Sequence, residues 1–171
     1  MLYIFGGLPG TGKTELASHL SQVLQATYLR IDTIEQALRD AGANAIGPEG
    51  YEIAYRVATD NLKLGIDVIA DSVNSIHITR QAWRQVALNA GVEFQEIEVI
   101  CSNAEEHRQR IESRQPRIPG LKLPTWHDVL KREYVFWDSN PIQIDTAGQT
   151  VSESKKALEQ LVETRRRSSL R

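Results

Sequence analysis

The octapeptide Gly7-Leu8-Pro9-Gly10-Thr11-Gly12-Lys13-Thr14 constrains this chain more than any other stretch, because it meets G-x-x-x-x-G-K-[ST] at every fixed position. Glycines at those places let the backbone take positive φ and come close to an anion. The loop N–H groups and the start of the next helix then converge on phosphate oxygens. In such a loop Lys13 reaches the β- and γ-phosphates, and the Thr14 hydroxyl ligates Mg²⁺. Leu8, Pro9, Gly10, Thr11, Gly12, Lys13 and Thr14 are therefore the expected nucleotide contacts, with ATP and Mg²⁺ as the expected cofactors. The flanks agree. Leu2-Tyr3-Ile4-Phe5 is an apolar run ending in Gly6-Gly7 and reads as a buried strand. Leu16, Ala17, Leu20, Val23 and Leu24 recur at helical spacing, so a helix starts near Gly12 or Lys13.

Further along, strands and helices alternate. Thr27–Ile31 reads as a second strand with Asp32 at its carboxyl end, followed by a short helix from Ile34 to Arg39. Gly42–Gly50 reads as a loop and Tyr51–Leu64 as a helix, and Val68-Ile69-Ala70 is a third strand ending in Asp71. Ile78–Leu88 is helical and ends at Gly91, and Phe94–Cys101 is a fourth strand. Ala104–Arg114 is a charged helix, and Gln115–Pro124 is irregular, with prolines and a glycine. Thr125 caps a helix to about Tyr134. Ile142-Gln143-Ile144 is a fifth strand, and Ser152–Arg165 is the last helix, leaving a basic tail at 166–171. This alternation implies an α/β fold with a parallel sheet covered on both faces. Ligands of such sheets sit at the carboxyl ends of the strands. With 171 residues and no linker or repeat, residues 1–165 are expected to form one domain.

Asp32 and Asp71 fall at that end of the sheet. Asp32 is placed to accept a proton from a substrate hydroxyl as it attacks the γ-phosphate, although an aspartate there also serves as a helix N-cap. Asp71 is placed to hold Mg²⁺ through water or to position a substrate; its plainer role is a turn aspartate. Asn74 and Arg80 follow closely enough to line the same cleft, and Trp83, at helical spacing from Arg80, reads as core. Arg110 and Arg114 lie four apart on one helical face. One is positioned to stack on adenine and the other to reach the transferring phosphate, whose oxygens need a guanidinium fork. Glu105, Glu106 and Glu112 are interleaved, so a solvated, paired helix is the alternative. The irregular segment reads as a lid near 115–125 that excludes water. Thr146, just after the last strand, belongs to a loop placed to meet the adenine edge.

Other signals exclude chemistry. A single cysteine, Cys101, rules out an intrachain disulfide and reads as a small buried hydrophobe. His19, His77, His107 and His127 show no metal-ligand spacing. Net charge is −2, so no generally basic surface awaits nucleic acid. The basic tail fits cations at a helix C-terminus. No apolar run approaches membrane-spanning length, and the strand pattern begins at Leu2 without a leader, so a cytoplasmic protein is expected.

With these residues in place, the chain resembles a small P-loop kinase of the nucleoside-monophosphate-kinase-like group, in the branch of chloramphenicol phosphotransferase, zeta-toxin and polynucleotide 5′-kinase. The resemblance spans nearly the whole chain. It implies a three-layer P-loop NTPase with a five-stranded parallel sheet in order 2-3-1-4-5 and a small lid. In that group an aspartate ends the strand after the P-loop helix and acts as base, and Asp32 matches it. Asp71-Ser72-Val73-Asn74 and Thr79-Arg80-Gln81-Ala82-Trp83 are similar to the corresponding stretch of polynucleotide 5′-kinases. Arg110-Ile111-Glu112-Ser113-Arg114 is similar to their adenine-stacking and phosphate-binding pair. One position departs: adenylylsulfate and polynucleotide kinases tend to carry an arginine three residues after the base, and here Glu35 stands there. A carboxylate repels an acceptor phosphate and favours a neutral or amine-bearing acceptor, with Arg39 one turn on partly restoring charge. The expected activity is ATP- and Mg²⁺-dependent phosphorylation of a small-molecule hydroxyl, with Asp32, Glu35, Asp71, Asn74 and Arg80 facing the acceptor. A polynucleotide 5′-hydroxyl kinase and a regulatory ATPase without a dedicated acceptor are the alternatives.

Overall fold

The computed structural model describes residues 1–169. Five strands form one parallel sheet: β1 (Leu2–Gly6), β2 (Thr27–Arg30), β3 (Val68–Asp71), β4 (Phe94–Ile100) and β5 (Ile142–Asp145). Their order is β2-β3-β1-β4-β5, as the resemblance implies. The apolar run at the amino end takes the middle of the sheet, where Leu2, Tyr3, Ile4 and Phe5 are inaccessible to solvent. Because side chains alternate along a strand, the run feeds two cores. Leu2 and Ile4 join Leu29, Ile31, Val68 and Ala70 against Ala54, Ala58 and Leu62 of α3 (Glu49–Lys63) and Trp83 and Val86 of α4 (His77–Ala90). Tyr3 and Phe5 join Ile69, Ile97, Val99 and Ile144 against Leu16, Ala17 and Leu20 of α1 (Lys13–Leu24) and Leu158 and Val162 of α7 (Val151–Ser169). The result is three layers, helix–sheet–helix, with Trp83 in the core as expected.

Several boundaries differ from the sequence reading, and each difference has a physical cause. β2 stops at Arg30, and α2 (Ile31–Asp40) begins at once, so Asp32 lies in the first helical turn and is not the cap. An aspartate there is stabilised by the positive end of the helix dipole. α3 takes up Gly50, where a Cβ would stand 2.6 Å from Glu35 Cγ; the glycine lets α2 and α3 approach. α5 (Ala104–Ser113) ends one residue early. The Thr125 cap is present as a capping box with Asp128, but α6 (Trp126–Lys131) stops short of Tyr134. The chain there is drawn away: Val135 N–H donates to Ser75 O at 2.8 Å. α7 continues past Arg165 through Arg166 and Arg167. Residues 170–171 of the expected tail lie outside the described residues. Among the described residues, no helix is long and apolar enough to cross a membrane.

Candidate active site

The phosphate loop is built by close approach. Gly7, Gly10 and Gly12 all have positive φ, and a Cβ on Gly7 would meet the Val99 carbonyl at 2.2 Å. Gly7 N–H donates to Val73 O, and Thr11 Oγ1 to Leu8 O at 2.9 Å. The N–H groups of Gly10, Gly12, Lys13 and Thr14 have no acceptor among the described residues, which is what an anion cradle at a helix start requires. Two contacts that the sequence did not reveal hold the loop from α5. His107, buried, donates from Nε2 to Pro9 O at 2.7 Å, and Ile111 packs against the Gly10 Cα. Neither partner is near in sequence, so no local pattern pointed to them.

Lys13 reaches from the loop to Asp71 at the end of β3 and hydrogen-bonds its Oδ1; the Tyr28 hydroxyl donates to Oδ2 at 2.6 Å. Burial alone would push the Asp71 carboxyl up. The Lys13 charge and hydrogen bonds from Lys13, Tyr28 and Thr14 outweigh it and hold the group below the usual carboxylate range. Tyr28 itself is pushed far up by burial and by this carboxylate. Thr14 and Asp71 thus lie together beside Lys13, the donor set expected to hold Mg²⁺. A hydroxyl and one carboxylate suit Mg²⁺, which keeps most of its waters. No cluster of three or more His, Cys, Asp or Glu suited to a metal occurs among the described residues.

Asp32 stands across from this anchor. β2 and β3 are parallel neighbours, with Arg30 in register with Asp71, and the Asp32 side chain is 52% exposed. Arg30 Nη2 lies 3.6 Å from Asp32 Oδ2. Arg114, immediately after α5, comes to the same place. Burial lowers its pKa, the Asp32 charge raises it and the Arg30 charge lowers it further. Its Nε and Nη2 are enclosed without a partner, as is Arg30 Nε. Enclosed guanidinium donors without acceptors are costly unless an anion meets them. Arg30 was missing from the sequence reading, because an arginine ending a strand carries no motif.

Glu35, one turn beyond Asp32, is pushed up by burial and drawn back by Arg39, whose Nη2 lies at 3.3 Å. Arg132, just past α6, and Tyr51, whose hydroxyl faces Ser72, share this region. Glu35 therefore falls beside Asp32, along with Arg132 and Tyr51, which the sequence did not single out.

Asn74 and Arg80 correct the sequence reading. Both are completely buried. Asn74 Nδ2 donates to Phe5 O at 2.7 Å. Arg80 donates from Nε to Asn74 O (2.7 Å), from Nη1 to Phe136 O (3.0 Å) and from Nη2 to Val135 O (2.7 Å), with its guanidinium 4.1 Å from the Trp137 ring centre. Its donors are spent on backbone carbonyls, so it pins the 135–137 segment to the sheet and does not line the cleft. Trp137 in turn lies on Gly6, where a Cβ would meet its ring at 2.5 Å.

Arg110 and Thr146, both expected near the base, meet directly. Arg110 Nη1 donates to Thr146 Oγ1 at 2.7 Å, and Nη2 to Thr146 O at 2.9 Å and to Glu106 at 2.5 Å. Thr146 Oγ1 also lies 2.8 Å from Thr11 O, so the loop after β5 is tied to the P-loop. The irregular 114–125 segment runs over α1, where Arg117 reaches Glu15 at 2.8 Å, and its Gly120 abuts Gln36.

The AAA_33 family, described as an AAA domain, matches residues 2–131, a span holding the P-loop, Asp32, Asp71 and Arg114. No curated protein matches the chain. Among solved structures, a provisionally assigned kinase from Chloroflexus aurantiacus j-10-fl superimposes with a TM-score of 0.71 at 19% identity, over 95% of this chain and 96% of that one. The Mycobacterium tuberculosis APS kinase CysC, in complex with AMPPNP and APS, gives 0.64 at 17% identity over 95% and 96%. A gluconokinase from Sinorhizobium meliloti 1021 gives 0.63 at 13% identity over 98% and 96%. At such identities the likeness establishes a fold, the kinase-like P-loop architecture, over nearly the full length of both chains. With the family match covering most of its length, the chain belongs to the AAA_33 family of AAA domains.

Proposed function

We propose that this protein is an ATP- and Mg²⁺-dependent phosphotransferase that moves the γ-phosphate to a hydroxyl of a small molecule, within the chloramphenicol phosphotransferase, zeta-toxin and polynucleotide 5′-kinase branch. One observation carries the reading: a half-exposed Asp32, flanked by Arg114 with unpartnered donors, stands one strand away from the Lys13–Asp71 anchor of a phosphate loop. A switch needs the loop alone. A kinase also needs a carboxylate facing it, to take the proton of the acceptor hydroxyl.

The P-loop N–H groups orient the donor phosphates, and Lys13 leaves Asp71 to hold them. Thr14 and Asp71 hold Mg²⁺, which when bound offsets phosphate charge. Asp32 accepts the acceptor's proton. Arg114 bears the charge on the oxygens in transit. Arg110 and Thr146 frame the base, and the 115–125 segment serves as the lid that keeps water out, with Arg117 on Glu15 as its tether. Glu35 beside the base disfavours an acceptor that already carries phosphate.

Asp32→Asn tests the assignment. Calorimetric ATP affinity is expected to stay within about twofold, while transfer across a panel of hydroxyl metabolites, antibiotics and a 5′-hydroxyl oligonucleotide falls at least about 100-fold. Unchanged turnover would remove Asp32 as base. Transfer to the oligonucleotide alone would place the protein with polynucleotide kinases, and slow ATP hydrolysis indifferent to every acceptor would make it a regulatory ATPase.

A further inference from the structure

Arg30 lies between the donor anchor and the acceptor base. As the last residue of β2 it is in register with Asp71 on β3. Residues paired across parallel strands project to the same face, so Arg30 rises on the face that carries Lys13 and α1. On one side its charge reaches Tyr28, the residue that donates to Asp71. On the other it lies 3.6 Å from Asp32 and acts on Arg114. Its side chain is only 17% exposed, and Nε is enclosed without an acceptor.

Two guanidinium groups and one carboxylate thus share this place. Burial makes Arg114 harder to keep charged, the Asp32 charge opposes this without overcoming it, and the Arg30 charge adds a smaller push in the same direction as burial. Together they turn three enclosed N–H-bearing nitrogens toward no protein acceptor: Arg30 Nε, Arg114 Nε and Arg114 Nη2. A pairing of Arg30 with Asp32 alone does not account for this, because that contact uses Nη2 and leaves Nε unmet. An anion with several oxygens, placed between anchor and base, satisfies the donors and relieves the repulsion between the cations.

We propose that Arg30 is a catalytic residue that, with Arg114, grips the equatorial oxygens of the γ-phosphoryl group during transfer. This rests on the phosphotransferase reading above. The acceptor oxygen forms its bond to the γ-phosphorus as the bond to the β–γ bridging oxygen breaks. The bridging oxygen keeps the electron pair and leaves as ADP. The acceptor proton goes to Asp32, and no proton or electron passes through Arg30.

The experiment uses MgADP with and without aluminium fluoride, a planar mimic of the phosphoryl group in flight, with binding read by calorimetry. In the wild type, fluoride is expected to tighten ADP binding about 100-fold. In Arg30→Gln, ADP alone should bind as in the wild type, and the tightening should fall below about threefold. Arg30→Lys keeps charge without the fork and should recover only part of it. A merely structural role would lower the melting temperature and leave the fluoride effect intact, and that result would overturn the proposal. If the variants do not fold, the wild-type Arg30 Nε–H resonance decides: a shift with MgADP–aluminium fluoride but not with MgADP supports the role, and no shift overturns it. Failure of the wild type to bind MgADP would instead sink the phosphotransferase reading. MgADP binding that fluoride leaves unchanged would overturn the phosphoryl grip alone.

Discussion

Replacing Lys13 with methionine separates the structural from the catalytic role of the loop lysine. In the native protein the lysine side chain is 10% exposed and its partner Asp71 is 0% exposed. Breaking a buried ion pair by removing one partner costs about 3–5 kcal/mol. The Tyr28 hydroxyl still donates to Asp71 in the variant, so the lower end applies, about 3 kcal/mol. For a chain of this size that lowers Tm by about 6–12 °C. The cost should depend on pH. The native Asp71 carboxyl is held below its ordinary range, so its contribution is complete above the unfolded pKa and is lost as pH falls through the folded one. In the variant, burial is no longer opposed by the cation, the carboxyl pKa rises, and protonation relieves the penalty. The gap between the two proteins is therefore widest near neutrality and closes below about pH 4. Urea titrations of both proteins without nucleotide, from pH 3 to 8, measure it. Adding Asp71→Leu to Lys13→Met should restore most of the stability, because no unpaired charge remains. A gap that stays constant with pH, or a double variant as unstable as the single one, would refute the buried-pair argument.

Two further substitutions probe the frame around the site. Arg80→Met should lose about 3 kcal/mol or more, because it strands the buried Asn74 carbonyl and the partly buried carbonyls of Val135 and Phe136, and Arg80→Lys should not rescue it, since one ammonium cannot span these acceptors; urea unfolding within about 1 kcal/mol of wild type would overturn the clamp. Gly10→Ala places a Cβ at φ +86° and 2.6 Å from Ile111 Cδ1, so ATP affinity should fall about tenfold or more by calorimetry, and wild-type affinity would show that the loop yields there at little cost.

Much of the fold was legible. The Leu2–Phe5 run, Gly91 at the end of α4 and the Thr125 cap were readable because each depends on neighbours in the chain. Segment ends were less so. The short α6 is explained only by Ser75 and Arg80, which draw the next residues away from helical geometry. The start of α2 at Ile31 was likewise hidden, since Asp32 reads equally well as a cap and as a first-turn anion.

The arginines draw the dividing line. From the sequence one could read a phosphate loop, a parallel sheet and carboxylates at its working edge, because the loop's requirements are satisfied within eight residues and the layers follow from periodicity. The sequence pointed to Arg80 as a cleft residue and did not single out Arg30. Folding brought the carbonyls of residues 135 and 136 to Arg80 and consumed its donors, while Arg30 and Arg114 were left near Asp32 with donors unmet. Whether a guanidinium serves structure or chemistry depends on which acceptors meet it in three dimensions, and those acceptors lie tens of residues away along the chain.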